Sequence, residues 1–236
     1  MIIHPIYKAS VENVRALERA LKNMKRHINL LIKTNKDDEV ETLTKVYTLI
    51  YSTWLEANLT KLIYTPEGFN DSEIEQIKAE GKIEKKWEKA LILAFRKFNQ
   101  TKKNSEIPNK KKKIVSYVKK YIVEPSSIRN KIAHGQWTIA LNSENTKINP
   151  TLTKELKELD FIKIFKWITI SSYIIKIVED LIKSRKDNGN KAHYKDYEQL
   201  ILDIQDFEKK TESWNDETKV KLLKRTKPKP KINKIA

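Results

Sequence analysis

One stretch of the chain combines side chains able to move a proton and to hold a phosphate: Ser127-Ile128-Arg129-Asn130-Lys131-Ile132-Ala133-His134-Gly135. Histidine takes and gives a proton near neutrality, its ordinary pKa being about 6.5. A guanidinium is a permanent fork of donors that matches phosphate oxygens. Together the two suit RNA transesterification. A base removes the 2′-OH proton and that oxygen attacks the adjacent phosphorus. The cation stabilises the charge that builds up, and an acid protonates the leaving 5′ oxygen. This chemistry requires no metal and no other cofactor. One chain offers a single Arg–His pair, so a separate base and acid come most simply from two protomers meeting at a two-fold axis. The plain structural alternative is an exposed Arg129 and a His134 resting against the carbonyls of its own helix end, a favourable place for an imidazole.

At about 100° per residue, Ile128 and Ile132 share one side of a helix, while Arg129, Asn130, Ala133 and His134 occupy an arc on the other. Arg129 and His134 are then about 140° apart, so they are not stacked. A further candidate, Glu56, lies in Tyr51-Ser52-Thr53-Trp54-Leu55-Glu56 on a strongly apolar helix. A half-buried carboxylate there calls for a cation such as Arg129, whereas on the solvated side it needs none. Lys131, Gln136 and Trp137 flank the motif as supporting candidates. Trp137 suits either stacking on a base or packing in a core.

Composition narrows the alternatives. The 236 residues include no cysteine, four histidines and four glycines. Disulfide frameworks, thiolate zinc sites and cysteine nucleophiles are thereby excluded, and a multi-histidine metal site is disfavoured. Gly68, Gly81, Gly135 and Gly189 stand too far apart for either glycine-rich nucleotide fingerprint. His4, His27 and His193 read as surface residues, lacking partner ligands at usable spacing. Met1 to Ile6 is too short for a signal peptide. The apolar stretch Phe161 to Ile182 is interrupted by charges, which makes it a core helix rather than a membrane span. The expectation is a soluble, cytoplasmic protein with no membrane partner.

The formal charge is +17. From Thr101 to Lys120 there are eight basic residues against Glu106 alone, and from Lys219 to Ala236 there are eight and no acidic one. Clustered charge of one sign points to a polyanion such as RNA, with Lys110, Lys111, Lys112 and Lys113 as nucleic-acid-binding candidates. The alternative is a solvated surface shaped by lysine-rich composition, with 41 Lys against seven Arg.

The elements that must position these residues are helical. Val14, Leu17, Leu21, Met24, Ile28 and Leu31 step by three and four after an N-cap at Ser10. Leu43, Tyr47, Ile50, Trp54 and Ala57 repeat the pattern after Asp37-Asp38, up to a turn at Thr65 to Gly68. A short helix over Ser72 to Glu80 follows, then one carrying Trp87, Leu91, Phe95 and Phe98. Asn99 to Asn109 reads as a polar loop. The lysine run leads into a helix that stops before Pro125, and Ser126-Ser127 caps a new one ending at Gly135. Alternation at Trp137, Ile139 and Leu141, a turn at Asn142 to Asn145 and an extended piece through Ile148 predict a small β-hairpin. Two more helices carry Phe161, Ile164, Ile168, Ile175 and Val178, and Tyr197, Leu200, Ile204 and Phe207. The fold class is all-α, a bundle over 5–212 with one small β-hairpin insertion after the motif helix. A basic C-terminal tail over 213–236 has too little apolar content to pack and is expected to be mobile.

Arg129-Asn130-Lys131-Ile132-Ala133-His134 resembles the R-x4-6-H motif of the HEPN superfamily, in which a polar residue often follows the arginine. The surrounding chain fits over roughly Pro5 to Lys210, with the motif past the midpoint and then a hairpin and a long helix. The resemblance implies a homodimer with a composite active site. It also implies metal-independent endoribonuclease activity leaving 2′,3′-cyclic phosphate ends, in a toxin or phage-defence system with an antitoxin or other defence partner. Arg129 and His134 would be catalytic and Asn130 a positioning residue. In HEPN toxins silenced by an adenylylating partner a tyrosine lies two positions after the histidine; Gln136 stands there instead, so that control is not implied. Two other readings stay open: a non-catalytic HEPN module that binds RNA or a partner protein, and a helical scaffold whose charge is compositional.

Overall fold

A computed structural model describes residues 4–101, 106–183, 194–215, 217–219 and 221. Among them the chain is all-helical. Its elements are α1 (Pro5–Lys33), α2 (Asp37–Ile63), α3 (Asp71–Lys78), α4 (Ile83–Thr101), α5 (Glu106–Val118), a π-helical turn (Lys119–Val123), α6 (Glu124–Ala133), α7 (Pro150–Lys157), α8 (Phe161–Lys183) and α9 (Tyr194–Thr211).

The amphipathic stripe of α1 buries Val14, Leu21, Ile28, Leu31 and Ile32, and the helix folds back on α2 through the short turn Thr34 to Lys36. Full burial of one such aliphatic side chain is worth about 1.5–3 kcal/mol. The helix begins earlier than the Ser10 cap predicts. His4 caps it by accepting the Ile6 N–H, Pro5 supplies a pre-set first turn, and the Ser10 hydroxyl turns inward to the Ile6 carbonyl.

The centre of the bundle is α2. It packs on α1, α4, α6 and α8 and buries residues around its whole circumference, from Tyr47 and Thr48 to Tyr51, Trp54, Leu55 and Leu59. Its buried threonines donate to carbonyls four residues back, Thr44 to Val40 and Thr48 to Thr44, so no hydroxyl is stranded. The helix stops at the turn before Gly68. A Cβ on Gly68 would lie 2.5 Å from the Ile182 side chain and 2.9 Å from the Thr65 carbonyl oxygen, which only a glycine accommodates.

Two sequence expectations change around the motif helix. Pro125 does not end a helix: α5, the π turn and α6 run on without a break from Glu106 to Ala133. Proline lacks an N–H and would leave the Tyr121 carbonyl, four residues before it, without its helical donor. The buried Tyr51 hydroxyl of α2 donates to that oxygen at 2.5 Å and pairs with Ser171 of α8 at 2.8 Å. The inserted π turn absorbs the misfit, the Glu124 N–H reaching back to the Lys119 carbonyl. Ser126 and Ser127 accordingly do not cap a helix start, but donate to the Val123 and Glu124 carbonyls within it.

The expected β-hairpin after the motif is a looped turn. Leu141 and Ile148 form one isolated antiparallel bridge, and no strand occurs among the described residues. The Asn142 side chain accepts the N–H groups of Thr146 and Lys147, taking backbone donors that a ladder would need. Asn149 then caps α7, an unpredicted helix with Pro150 in its first turn. Asn99 to Thr101, read as loop, belong to α4, and 106–109 to α5. No helix among the described residues is long and apolar enough to cross a membrane. Trp214, assigned to the tail, packs against the core, while residues 222–236 and His193 lie outside the described residues.

Candidate active site

The helix α6 is held through Ile128 and Ile132, both buried, and by the carbonyl network at its π turn. Arg129 thereby faces α2, and its Nη2 donates to Oε1 of Glu56 at 2.6 Å. The arginine side chain is 22% exposed and the carboxylate 46%, so the pair stands at the rim of the core. An ion pair this open is worth about 0–1 kcal/mol in stability. Its main consequence is orientation. Nη2 is committed to Glu56, while Nη1 has no hydrogen bond among the described residues. Behind it, buried Nε of Arg129 and Nε1 of Trp87 also lack partners there. Tyr51, Trp87, Pro125 and Arg129 line a cavity of about 20 Å³ between these groups.

In front of the arginine opens a cleft of about 790 Å³ between the start of α4 and the start of α6. Arg129, Asn130, Ser126 and Ser127 form one wall, and Lys82, Lys85 and Lys86 the other. Lys85 is engaged by Glu88 at 2.8 Å, whereas Lys82 and Lys86 have no ion pair among the described residues. Glu56, Glu84 and Glu124 line the same space, so the four cations of the cleft face three carboxylates. Lys82, just before α4, and Lys85 and Lys86 in its first turn lie outside the candidates of the sequence; their signal is a run of mixed charge at a helix start that reads as ordinary solvated surface.

The other motif residues diverge. Asn130 is exposed and reaches the cleft. His134 is the C-cap of α6, its N–H bonded to the Asn130 carbonyl at 3.1 Å. Its imidazole is exposed and has no hydrogen-bond partner among the described residues. Gly135 follows at φ 77°, donating to Ile132 O at 3.1 Å, and the Gln136 N–H reaches Lys131 O at 2.9 Å. These two bonds make a Schellman motif, which requires the left-handed residue that glycine supplies.

Three supporting candidates act on the loop after the motif. Lys131 Nζ donates to Leu141 O at 2.6 Å, and Gln136 accepts the Leu141 N–H while donating to Asn145. Trp137 donates its indole N–H to Ile132 O at 3.0 Å and lies partly buried, with Lys45 Nζ 5.8 Å from its ring. All three clip the loop to the end of α6. The lysine run is also divided. Lys110 is 14% exposed and paired with Glu198 of α9 at 2.8 Å, whereas Lys111, Lys112 and Lys113 carry no ion pair among the described residues. Four consecutive helical positions fan round about 300°, so they do not form one phosphate-tracking face.

Comparison with known proteins returned no match: no family model, no curated protein and no solved structure is significantly similar to this chain.

Proposed function

We propose that the protein is a metal-independent endoribonuclease of HEPN type, active as a homodimer. The observation that carries this reading is the anchored Arg129, presented to an open cleft with Asn130 beside it and lysines opposite. A phosphate entering the cleft meets a guanidinium already oriented by Glu56, so little rotamer freedom is lost when charge develops on phosphorus. His134 moves the protons: one copy takes the 2′-OH proton, and the histidine of the second copy gives one to the leaving 5′ oxygen. The bond from phosphorus to the 5′ oxygen breaks as the bond to the 2′ oxygen forms, leaving a 2′,3′-cyclic phosphate. A role in a toxin or phage-defence system, with an antitoxin or defence partner, rests on the family resemblance alone.

A second reading is favoured by the exposed, unpartnered His134: a HEPN-like module that binds RNA or a partner protein without cutting. One experiment separates them. Wild type and His134→Ala are incubated with mixed RNA in chelator and the product ends are analysed. Cyclic phosphate ends from wild type alone support the enzyme. Cleavage that needs a metal, or that survives His134→Ala, overturns the mechanism, and no cleavage with retained RNA binding leaves the second reading.

A further inference from the structure

A second basic surface lies away from Arg129 and shares no residue with its cleft. It centres on the first turns of α8. Lys163 Nζ stands 5.6 Å from the centroid of the Trp167 ring, and Lys25 of α1 and Lys219 stand 4.0 and 5.7 Å from that of Phe165. Lys166 donates to the Trp214 carbonyl at 3.2 Å. Beside them runs an open groove of about 420 Å³, with Lys163, Lys166 and Trp167 on one side and Lys120 and Lys209 among its other lining residues.

The acids nearby do not neutralise this surface. Glu208 is taken by Lys120 at 2.7 Å and by the Tyr121 hydroxyl, and Glu212 remains on the groove without an ion pair among the described residues. Asp160 uses its carboxylate to cap α8 at the Lys163 N–H, while also favouring the charged form of Lys166. Lys25, Lys163, Lys166, Lys209 and Lys219 have no carboxylate within ion-pair distance among the described residues. Lys25 and Lys219 are moreover half-buried beside one phenyl ring. Burial holds both below the usual lysine range, and the mutual repulsion lowers Lys25 further. Water alone poorly compensates two ammonium groups brought together in this way.

We propose that Lys25, Lys163, Lys166 and Lys219, set around Phe165 and Trp167, bind the phosphate backbone of single-stranded RNA. Lys163 and Lys166 line the open groove together with Lys120 and Lys209, while Lys25 and Lys219 stand over Phe165 outside its lining; cations at these separate places suit successive phosphates of a polymer better than a single small anion. Phe165 holds the Lys25 and Lys219 ammonium groups over its ring and Trp167 that of Lys163. The chain continues beyond Lys219 with seven further basic residues and no acidic one. The Lys119–Val123 turn and α6 form one continuous helical segment that supplies Lys120 to this groove and Arg129 to the cleft, about 14 Å apart along its axis. The proposal rests on the reading of RNA as substrate.

The test measures fluorescence anisotropy of a labelled 2′-O-methyl uridine 20-mer, which has no free 2′-OH to react, with the full chain over a series of salt concentrations. K25Q/K219Q and K163Q/K166Q are each expected to weaken binding at least tenfold and to lower the salt slope by about 1.4, the value for two phosphate contacts on a single strand. K8Q/K33Q, carrying the same charge change at the two ends of α1, is expected to change affinity less than threefold. Equal losses in all three variants, or none in the first two, overturn the proposal. So does loss of binding to phosphatidylglycerol vesicles with the 20-mer unaffected. Both pairs are tested because K166Q also removes the bond to Trp214. Binding by this surface with no RNA cleavage sinks the catalytic reading alone; cleavage whose KM is untouched by both lysine pairs sinks this one alone.

Discussion

Arg129 and His134 sit five residues apart on one short helix, and the fold treats them in opposite ways. The arginine is clamped: Glu56 holds one nitrogen, Trp87 and Pro125 close the space behind it, and the Tyr51–Tyr121 contact fixes the backbone about two turns earlier. The histidine caps the helix in the open, its backbone ordered by a Schellman turn and its ring exposed. On the proposed reading, a preorganised cation and an exposed histidine would divide the labour in a way that suits a composite site. The cation must already be in place when charge develops. A ring that completes its setting only when a second copy or the substrate arrives need not be oriented beforehand.

The comparison is broken most severely by removing either side chain. His134→Ala and Arg129→Ala should each lower RNA cleavage by about 10²–10⁴-fold, measured by product ends in chelator, with both variants keeping the oligomeric state of the wild type in light scattering. A monomeric Arg129→Ala would make the arginine structural. Next in size, Tyr51→Phe strips the closer donor from the carbonyl that Pro125 leaves open, leaving the Ser171 hydroxyl at 3.4 Å. It should cost about 1–3 kcal/mol in urea unfolding, since both Tyr121 O and the Ser171 hydroxyl are buried. An unchanged midpoint would mean the π turn is held by other contacts.

Glu56→Gln tests the clamp itself. Stability should move by no more than about 1 kcal/mol because the pair is half open, while kcat falls about tenfold as the guanidinium loses its fixed orientation. Equal activity would show that orientation at Arg129 is set elsewhere. The smallest effect is expected on the histidine side. Gly135→Ala meets no atom within 4 Å but forces an alanine to φ 77°, at a cost of about 1 kcal/mol in thermal unfolding. An effect near zero would mean that the turn relaxes away from the Schellman geometry.

Local patterns made much of the frame readable. The stripes of α1, α2 and α8, the stop at Pro66 to Gly68 and the Gly135 terminus are all short-range signals, and the core faces follow them. The errors share a cause. Ser10 and Ser126-Ser127 look like caps because serine competes for backbone donors, but each here points into a turn already formed. The loop after His134 has β-like alternation, yet Asn142 diverts its amides. The Asn149-Pro150 start of α7 was a legible signal hidden by that same strand-like reading.

The sequence by itself determined that the protein is helical and that Arg129, Asn130 and His134 share the polar arc of one helix, and it offered Glu56 as a carboxylate that calls for Arg129 if half-buried and needs no partner on the solvated side. These follow from periodicity and from the imbalance between buried charge and partner, which act over a few residues or through composition. Tertiary structure decided which groups meet. It carried the motif helix through Pro125, because a tyrosine 70 residues earlier in the chain supplies the missing hydrogen-bond donor. It also set Lys82 and Lys86 opposite Arg129, and Lys25 and Lys219 beside one phenyl ring. No short-range pattern encodes those meetings, since each depends on how separate helices pack around the common core.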